Sequence, residues 1–173
     1  MKLLVVVDFQ NDFVNGALGF AGAEALDERI AEKIKIYHEN NDQVIFTVDT
    51  HHSNYLNTFE GKNLPVAHCI KNTEGHKLYG KAALEAKDND LRFEKNTFPS
   101  LDLANYLKGK VYESIELTGL VSHICLLSNA VMIKSALPET EIIVDSNYTD
   151  SFDKSLHEKC LDIMEGLQIT VLR

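Results

Sequence analysis

Polar and apolar positions fall into two recurring kinds of block along the chain. Strand-length segments recur near residues 2–8, 43–48, 91–94, 114–118, 141–144 and 168–171. Between them lie longer stretches with apolar positions at helical spacing, near 24–40, 100–108, 123–136 and 153–166. Such alternation predicts a largely parallel sheet with right-handed crossovers, in the α/β class. Leu3–Val7 is apolar throughout, so it reads as a central strand buried on both faces. It delivers Asp8 to its carboxyl end, the edge at which open α/β sheets place their sites. Residues 49–90 contain few periodic stretches, and a loop of that length in a compact domain is usually functional.

Composition narrows the class. At 173 residues with 45% hydrophobic content, the chain suits one domain, 1–173, with a full core. No internal repeat, low-complexity tract or linker marks a boundary. Seventeen Lys and Arg against 26 Asp and Glu give a net charge of −9, which offers no electrostatic footprint for nucleic acid or an anionic membrane. The N-terminal apolar run is too short for a signal peptide, and no stretch approaches the ~18 apolar residues of a membrane span. The cytoplasm is therefore the default location. Three cysteines, an odd number, fit reduced thiols better than a disulfide framework.

Three separated residues carry candidate chemistry. Gly119–Cys125 reads G-L-V-S-H-I-C and places Cys125 one short turn beyond a strand, at the start of a helix. The N–H groups and partial positive charge of a helix start favour a thiolate and a developing oxyanion. Taken alone, Cys125 reads more readily as a buried structural cysteine than as a nucleophile. Asp8 alone suits a loop cap or a metal ligand, and Lys95 alone suits a solvated lysine after Arg92-Phe93-Glu94. Together they supply a base, a cation that lowers neighbouring pKa values, and a nucleophile. A second cluster follows at Asp49-Thr50-His51-His52, with Leu64-Pro65-Val66-Ala67-His68-Cys69 further on. One carboxylate and two imidazoles are the ligand types of an open divalent site. On spacing alone, a polar loop with incidental histidines (His51, His52, His68 and His76) accounts for the segment as well.

The pattern V-D-F-Q-N-D-F, a mid-chain lysine and T-G-L-V-S-H-I-C together resemble the isochorismatase-like cysteine hydrolases over nearly the whole chain. That resemblance implies a triad of Asp8, Lys95 and Cys125. It also implies a three-layer α/β/α doubly wound sheet of six mostly parallel strands, order 3-2-1-4-5-6, which brings Asp8 near Cys125. The oxyanion donors would be the backbone N–H groups of Val121 and Cys125, with a cis peptide at Leu120–Val121. D-x-H with a later P-x-x-H-C is similar to the metal loop of nicotinamidases, implying Asp49, His51 and His68 as ligands of a divalent ion. Zinc is the first expectation and manganese or iron the alternatives. Phe13 matches a substrate-lining aromatic of the family, with Leu18, Leu64 and Tyr55 expected to complete the wall. His52 is expected to be exposed.

The implied activity is hydrolysis of nicotinamide to nicotinate and ammonia through a thioester on Cys125. Rival readings are an amidase for aliphatic or ureido amides, a metal-free isochorismatase-type hydrolase, and a non-catalytic module that binds a small ligand. The expected partner is a small-molecule amide, and the family tendency to assemble implies a homo-oligomer. No glycine-rich phosphate loop follows any strand, which argues against a nucleotide- or flavin-binding domain.

Overall fold

A computed structural model describes residues 1–173. Its six strands are β1 (Leu3–Val7), β2 (Gln43–Asp49), β3 (Leu91–Lys95), β4 (Ser114–Leu120), β5 (Glu141–Asp150) and β6 (Thr170–Leu172). They form one sheet in the order β3-β2-β1-β4-β5-β6, with every neighbouring pair parallel. The expected class and strand order are therefore observed. β1 and β4 are buried at every position, as strands packed on both faces must be.

Alternate side chains of β1 feed two cores, because successive residues of a strand point to opposite faces. Leu3, Val5 and Val7 pack with the helices α5 (Leu101–Leu107), α6 (Leu127–Ala136) and α7 (Lys154–Gly166). Leu4 and Val6 pack on the other face with α2 (Asp27–Glu39) and α4 (Gly80–Glu85). Side-chain caps start two of these helices: Ser100 accepts from the Leu103 N–H at 3.1 Å, and Asp153 from the Leu156 N–H at 2.9 Å. α2 is also pinned to the sheet, where Glu116 of β4 meets Lys33 and accepts from the Tyr37 hydroxyl at 2.8 Å.

Element boundaries differ from the periodic reading at informative places. The stretch expected as one helix over 24–40 is a 3₁₀ turn, Ala23–Leu26, running into α2. The helix expected from His123 opens as a wide π-type turn, Ser122–Leu126, and becomes α-helical at Leu127. The long segment after β2 holds a 3₁₀ turn at Tyr55–Asn57, α3 (Phe59–Asn63) and α4, while α1 (Asn11–Val14) follows β1. These pieces of three to six residues are too short to show a helical period.

Where β1 ends, β4 comes unusually close. Gly119 pairs with Val7 and has φ +109°, and a Cβ there would sit 2.0 Å from the Val7 carbonyl oxygen. Only glycine permits this approach, which holds the carboxyl ends of β1 and β4 together. No helix is long and apolar enough to cross a membrane.

Candidate active site

Strand order dictates the meeting of three distant residues. β1 lies between β2 and β4, so Asp8, leaving β1, faces the turn that leaves β4. Lys95 ends β3 in register with Asp49 of β2, and its side chain reaches across β2. Its Nζ lies 2.6 Å from Asp8 Oδ2, 3.3 Å from Asp49 Oδ1 and 3.9 Å from Cys125 Sγ. The other Asp8 oxygen accepts from the Thr47 hydroxyl at 2.6 Å. Asp8 is wholly buried and holds φ +46°, a left-handed backbone that a non-glycine residue seldom adopts.

Burial and charge compete at each of these groups. Burial pushes the Asp8 carboxyl above its usual value, with Lys95 opposing the shift and Asp49 adding to it. Burial also drives the Cys125 thiol well above the ordinary cysteine value, against the pull of Lys95. Within the π-type turn, burial therefore favours the neutral thiol of Cys125 and the Lys95 ammonium favours its thiolate. Burial disfavours charge on Lys95 too, but Asp8, Cys125 and Asp49 outweigh it and hold the ammonium. A base of raised pKa beside a thiol and a fixed cation is an arrangement that can pass a proton at the moment of attack.

Asp49, His51 and His68 converge as a second buried group, with one ligand atom from each lying within 4.8 Å of the others. Asp49 Oδ2 is 3.1 Å from His51 Nε2 and 3.4 Å from His68 Nε2. Burial works against charge on Asp49, but the two imidazoles beside it and the charge of Lys95 outweigh it, so its pKa falls below the carboxylate range. His68 Nδ1 lies 2.8 Å from the Val66 carbonyl, which can only accept, so Nδ1 carries a proton and, in the neutral ring, Nε2 carries the lone pair. His51 Nε2 is buried with no hydrogen-bond partner. An orphaned imidazole nitrogen, a lone pair oriented by a backbone carbonyl and an ionised carboxylate fit a divalent cation.

Both groups border one cavity of about 460 Å³. Cys125, Val121, Asp49 and His68 lie on its wall, together with Phe13, Leu18 and Leu64. Phe13 packs edge-on against the His68 ring at 5.5 Å. Tyr55 requires correction. It is buried and does not line the cavity: its ring lies on His51 and His68 and its hydroxyl donates to the Leu64 carbonyl, so it braces the histidines. The wall is completed instead by Phe20, Phe98, Ile124 and Phe152, from four separate segments. His52 is exposed, as expected, and the Leu120–Val121 peptide is cis.

Several residues had no assigned role in the sequence. Gln10 brackets the Asp49 backbone: its amide donates to the Asp49 carbonyl at 2.9 Å and accepts from the Asp49 N–H at 2.8 Å. The same amide donates to the His76 carbonyl at 2.8 Å. Asp12 accepts from the Cys69 N–H at 2.7 Å, fixing the backbone next to His68. Glu60 of α3 points at the histidine pair, 3.6 Å from His51 Nε2 and 3.7 Å from His68 Nε2. Gln10 and Asp12 stood in the quoted N-terminal motif, where their polarity beside a buried strand was the available signal. Glu60 carried none, because its position depends on how the 49–90 segment folds.

Comparison with known proteins agrees with this fold. An isochorismatase domain model matches residues 2–173. An uncharacterised isochorismatase family protein of Bacillus subtilis is 33% identical over 142 residues, covering 75% of this chain and 76% of the relative. Among solved structures, a nicotinamidase/pyrazinamidase of Bacillus subtilis superposes with a TM-score of 0.86 at 28% identity, covering 99% of both chains. A pyrazinamidase of Pyrococcus horikoshii in complex with zinc gives a TM-score of 0.86 at 21% identity, covering 99% of this chain and 98% of that one. The chain belongs to the isochorismatase family and is a hydrolase.

Proposed function

We propose that this protein is a metal-dependent cysteine amidohydrolase that converts nicotinamide to nicotinate and ammonia. One observation carries the reading: Lys95 joins Asp8 to Cys125, and Cys125 lines an apolar cavity that also exposes Asp49 and His68 of the metal-type cluster. The solved nicotinamidase/pyrazinamidase of Bacillus subtilis supports a carboxamide on an aromatic nitrogen ring as the substrate class. An ion held by Asp49, His51 and His68 would supply a Lewis-acid anchor for a ring nitrogen. The zinc-bound pyrazinamidase of the same fold supports zinc in that role.

The residues of the chain account for the bond changes. Asp8 takes the thiol proton as the Cys125 sulfur forms a bond to the carboxamide carbon, and Lys95 balances the charge that develops. The N–H groups of Val121 and Cys125 hold the oxyanion. Asp8 then gives its proton to the departing nitrogen, the C–N bond breaks, and ammonia leaves a thioester behind. Water enters, loses a proton to Asp8 and attacks the same carbon. The C–S bond breaks, the thiol is restored and the acid departs.

Ammonia release with nicotinamide, pyrazinamide and carbamoyl amides, together with mass spectrometry of acid-quenched enzyme, tests the reading. Turnover of the pyridine amide and an acyl adduct on Cys125 are expected. Cys125→Ala should abolish both while keeping bound metal, and turnover retained in that variant would refute the mechanism. Turnover confined to carbamoyl amides would instead favour the ureido-amidase reading.

A further inference from the structure

One buried polar cluster takes no part in those steps, yet it grips the turn that carries Cys125. Two serine–histidine bonds tie that turn to the chain leaving β5. Ser122 Oγ, wholly buried, lies 2.9 Å from Nδ1 of His157 in the first turn of α7. The next residue, His123, has its Nδ1 2.8 Å from Oγ of Ser151, which is also wholly buried. The Cys160 thiol donates to the His157 carbonyl at 3.0 Å, and Ser151 Oγ accepts from the Asp153 N–H at 3.0 Å.

The turn itself is loosely held from within. Ile124 and Leu126 both donate to the Val121 carbonyl, each at 3.2 Å, longer than the usual N–H···O distance of about 2.9–3.0 Å. From outside, Asn129 Nδ2 and Ser128 Oγ hold the Cys125 end by donating to its carbonyl at 2.8 and 3.2 Å, and the two serine–histidine bonds hold the end next to Val121. Apolar side chains would fill the space behind Ser122 at less cost in desolvation, whereas a paired hydroxyl and imidazole impose a direction. That direction matters where donors must meet an oxyanion within a few tenths of an ångström.

We propose that Ser122 and His157 are positioning residues for the reaction: their bond sets the Val121–Cys125 turn so that thiol and oxyanion donors face the substrate carbonyl together. The proposal rests on Cys125 being the nucleophile. The bond acts on the transition state and hardly on the resting complex, because neither side chain lines the cavity.

The test compares Ser122→Ala, Ser122→Thr, His157→Leu and His157→Asn with the wild type. Each is assayed for kcat and KM with nicotinamide and for inhibition by pyridine-3-carbaldehyde. That aldehyde forms a C–S bond with Cys125, and the thiol proton passes to Asp8, leaving a hemithioacetal oxygen where the oxyanion would lie. Binding of unreacted nicotinamide is measured in the Cys125→Ala background. Ser122→Ala and His157→Leu should lose about tenfold or more in kcat and in aldehyde affinity alike, with nicotinamide binding changed less than about twofold. Ser122→Thr and His157→Asn, which keep a hydrogen-bonding atom at the same place, should recover most of both. Equal losses in nicotinamide binding and aldehyde affinity would reduce the pair to ordinary packing and overturn the proposal, as would full kcat in Ser122→Ala. If Ser122→Ala does not fold, the His157→Leu and His157→Asn contrast decides alone. Turnover retained by Cys125→Ala would defeat the catalytic reading itself and the proposal with it, whereas wild-type behaviour of the Ser122 and His157 variants defeats only the proposal.

Discussion

Asp8 sits at the crossing of every demand on this fold: it ends the central strand, takes an unfavourable φ, and depends on Lys95 to remain in a buried site. Lys95 in turn lies between two carboxylates, 2.6 Å from Asp8 and 3.3 Å from Asp49. Replacing it with Met removes the cation and leaves both carboxylates to face each other without compensation. A loss of about 3–5 kcal/mol follows for a broken buried pair, read as a lower denaturant midpoint, together with loss of turnover. Wild-type stability in Lys95→Met would show that the ammonium does not hold the two acids in place. Gln10 works more quietly on the same neighbourhood. Gln10→Leu strips partners from the Asp49 N–H and from two carbonyls, costing about 1–3 kcal/mol and lowering metal retention after dialysis; unchanged retention would mean that Asp49 needs no such brace. The chemistry-bearing residue types were legible in the sequence because Asp, Lys, Cys and His each stood at a strand end or in a long loop. The braces were not, since a glutamine or tyrosine that bonds to backbone atoms acquires its role only from where the partner strand lies.

At the scale of elements, two contacts decide how the sheet is assembled. Gly119 lets β4 close on β1, and Gly119→Ala would drive a methyl group into the Val7 carbonyl at a position of positive φ. Strand separation there costs at least about 1–3 kcal/mol as overpacking and moves the turn that carries Cys125 away from Asp8. Activity should fall more steeply than stability; a fully active Gly119→Ala would show that the two strand ends tolerate a gap. The second contact is the Tyr37 hydroxyl on Glu116, which joins α2 to β4. Burial and the adjacent Glu116 push the Tyr37 pKa upward, so the folded state keeps its proton at pH values where the unfolded chain loses it. The stability gained from this proton is complete below about pH 10, the ordinary tyrosine value, and shrinks as pH rises beyond it. Tyr37→Phe should therefore be less stable than wild type by about 1–2 kcal/mol near neutral pH, with the difference narrowing above about pH 10. A gap that stays constant to pH 11 would remove the linkage. Strands and long helices were visible in the sequence because burial on both faces or on one stripe repeats over several residues. The π-type turn and α1, α3 and α4 were not, because each is set by contacts with other segments and spans too few residues to repeat.

At the scale of the whole molecule, the cavity and the metal-type cluster link ligand binding to global stability. The cluster draws on β2, the loop that follows it and the segment around His68, so a cation bound there ties the 49–90 segment to the sheet. A ligand that binds only the folded state adds about 2.7 kcal/mol at a free concentration of 100 times Kd. For a chain of this size each kcal/mol shifts Tm by roughly 2–4 °C, so a rise of roughly 5–11 °C is expected when zinc is added to chelator-treated protein. The net charge of −9 makes a general electrostatic effect of any dication a competing explanation. Cys125→Ala separates the two, since it removes the nucleophile and leaves the cluster intact, and its Tm should rise as much as that of the wild type. Asp49→Ala and His68→Ala keep a similar overall charge yet lack a ligand, and their Tm should move by less than about a quarter as much, because two protein donors hold zinc poorly against water. Magnesium at the same concentration should leave the wild type nearly unmoved, as imidazole nitrogens suit it badly. A zinc-induced rise in His68→Ala equal to that of the wild type would place the cation elsewhere on the acidic surface and detach the Asp49–His51–His68 cluster from the proposed chemistry.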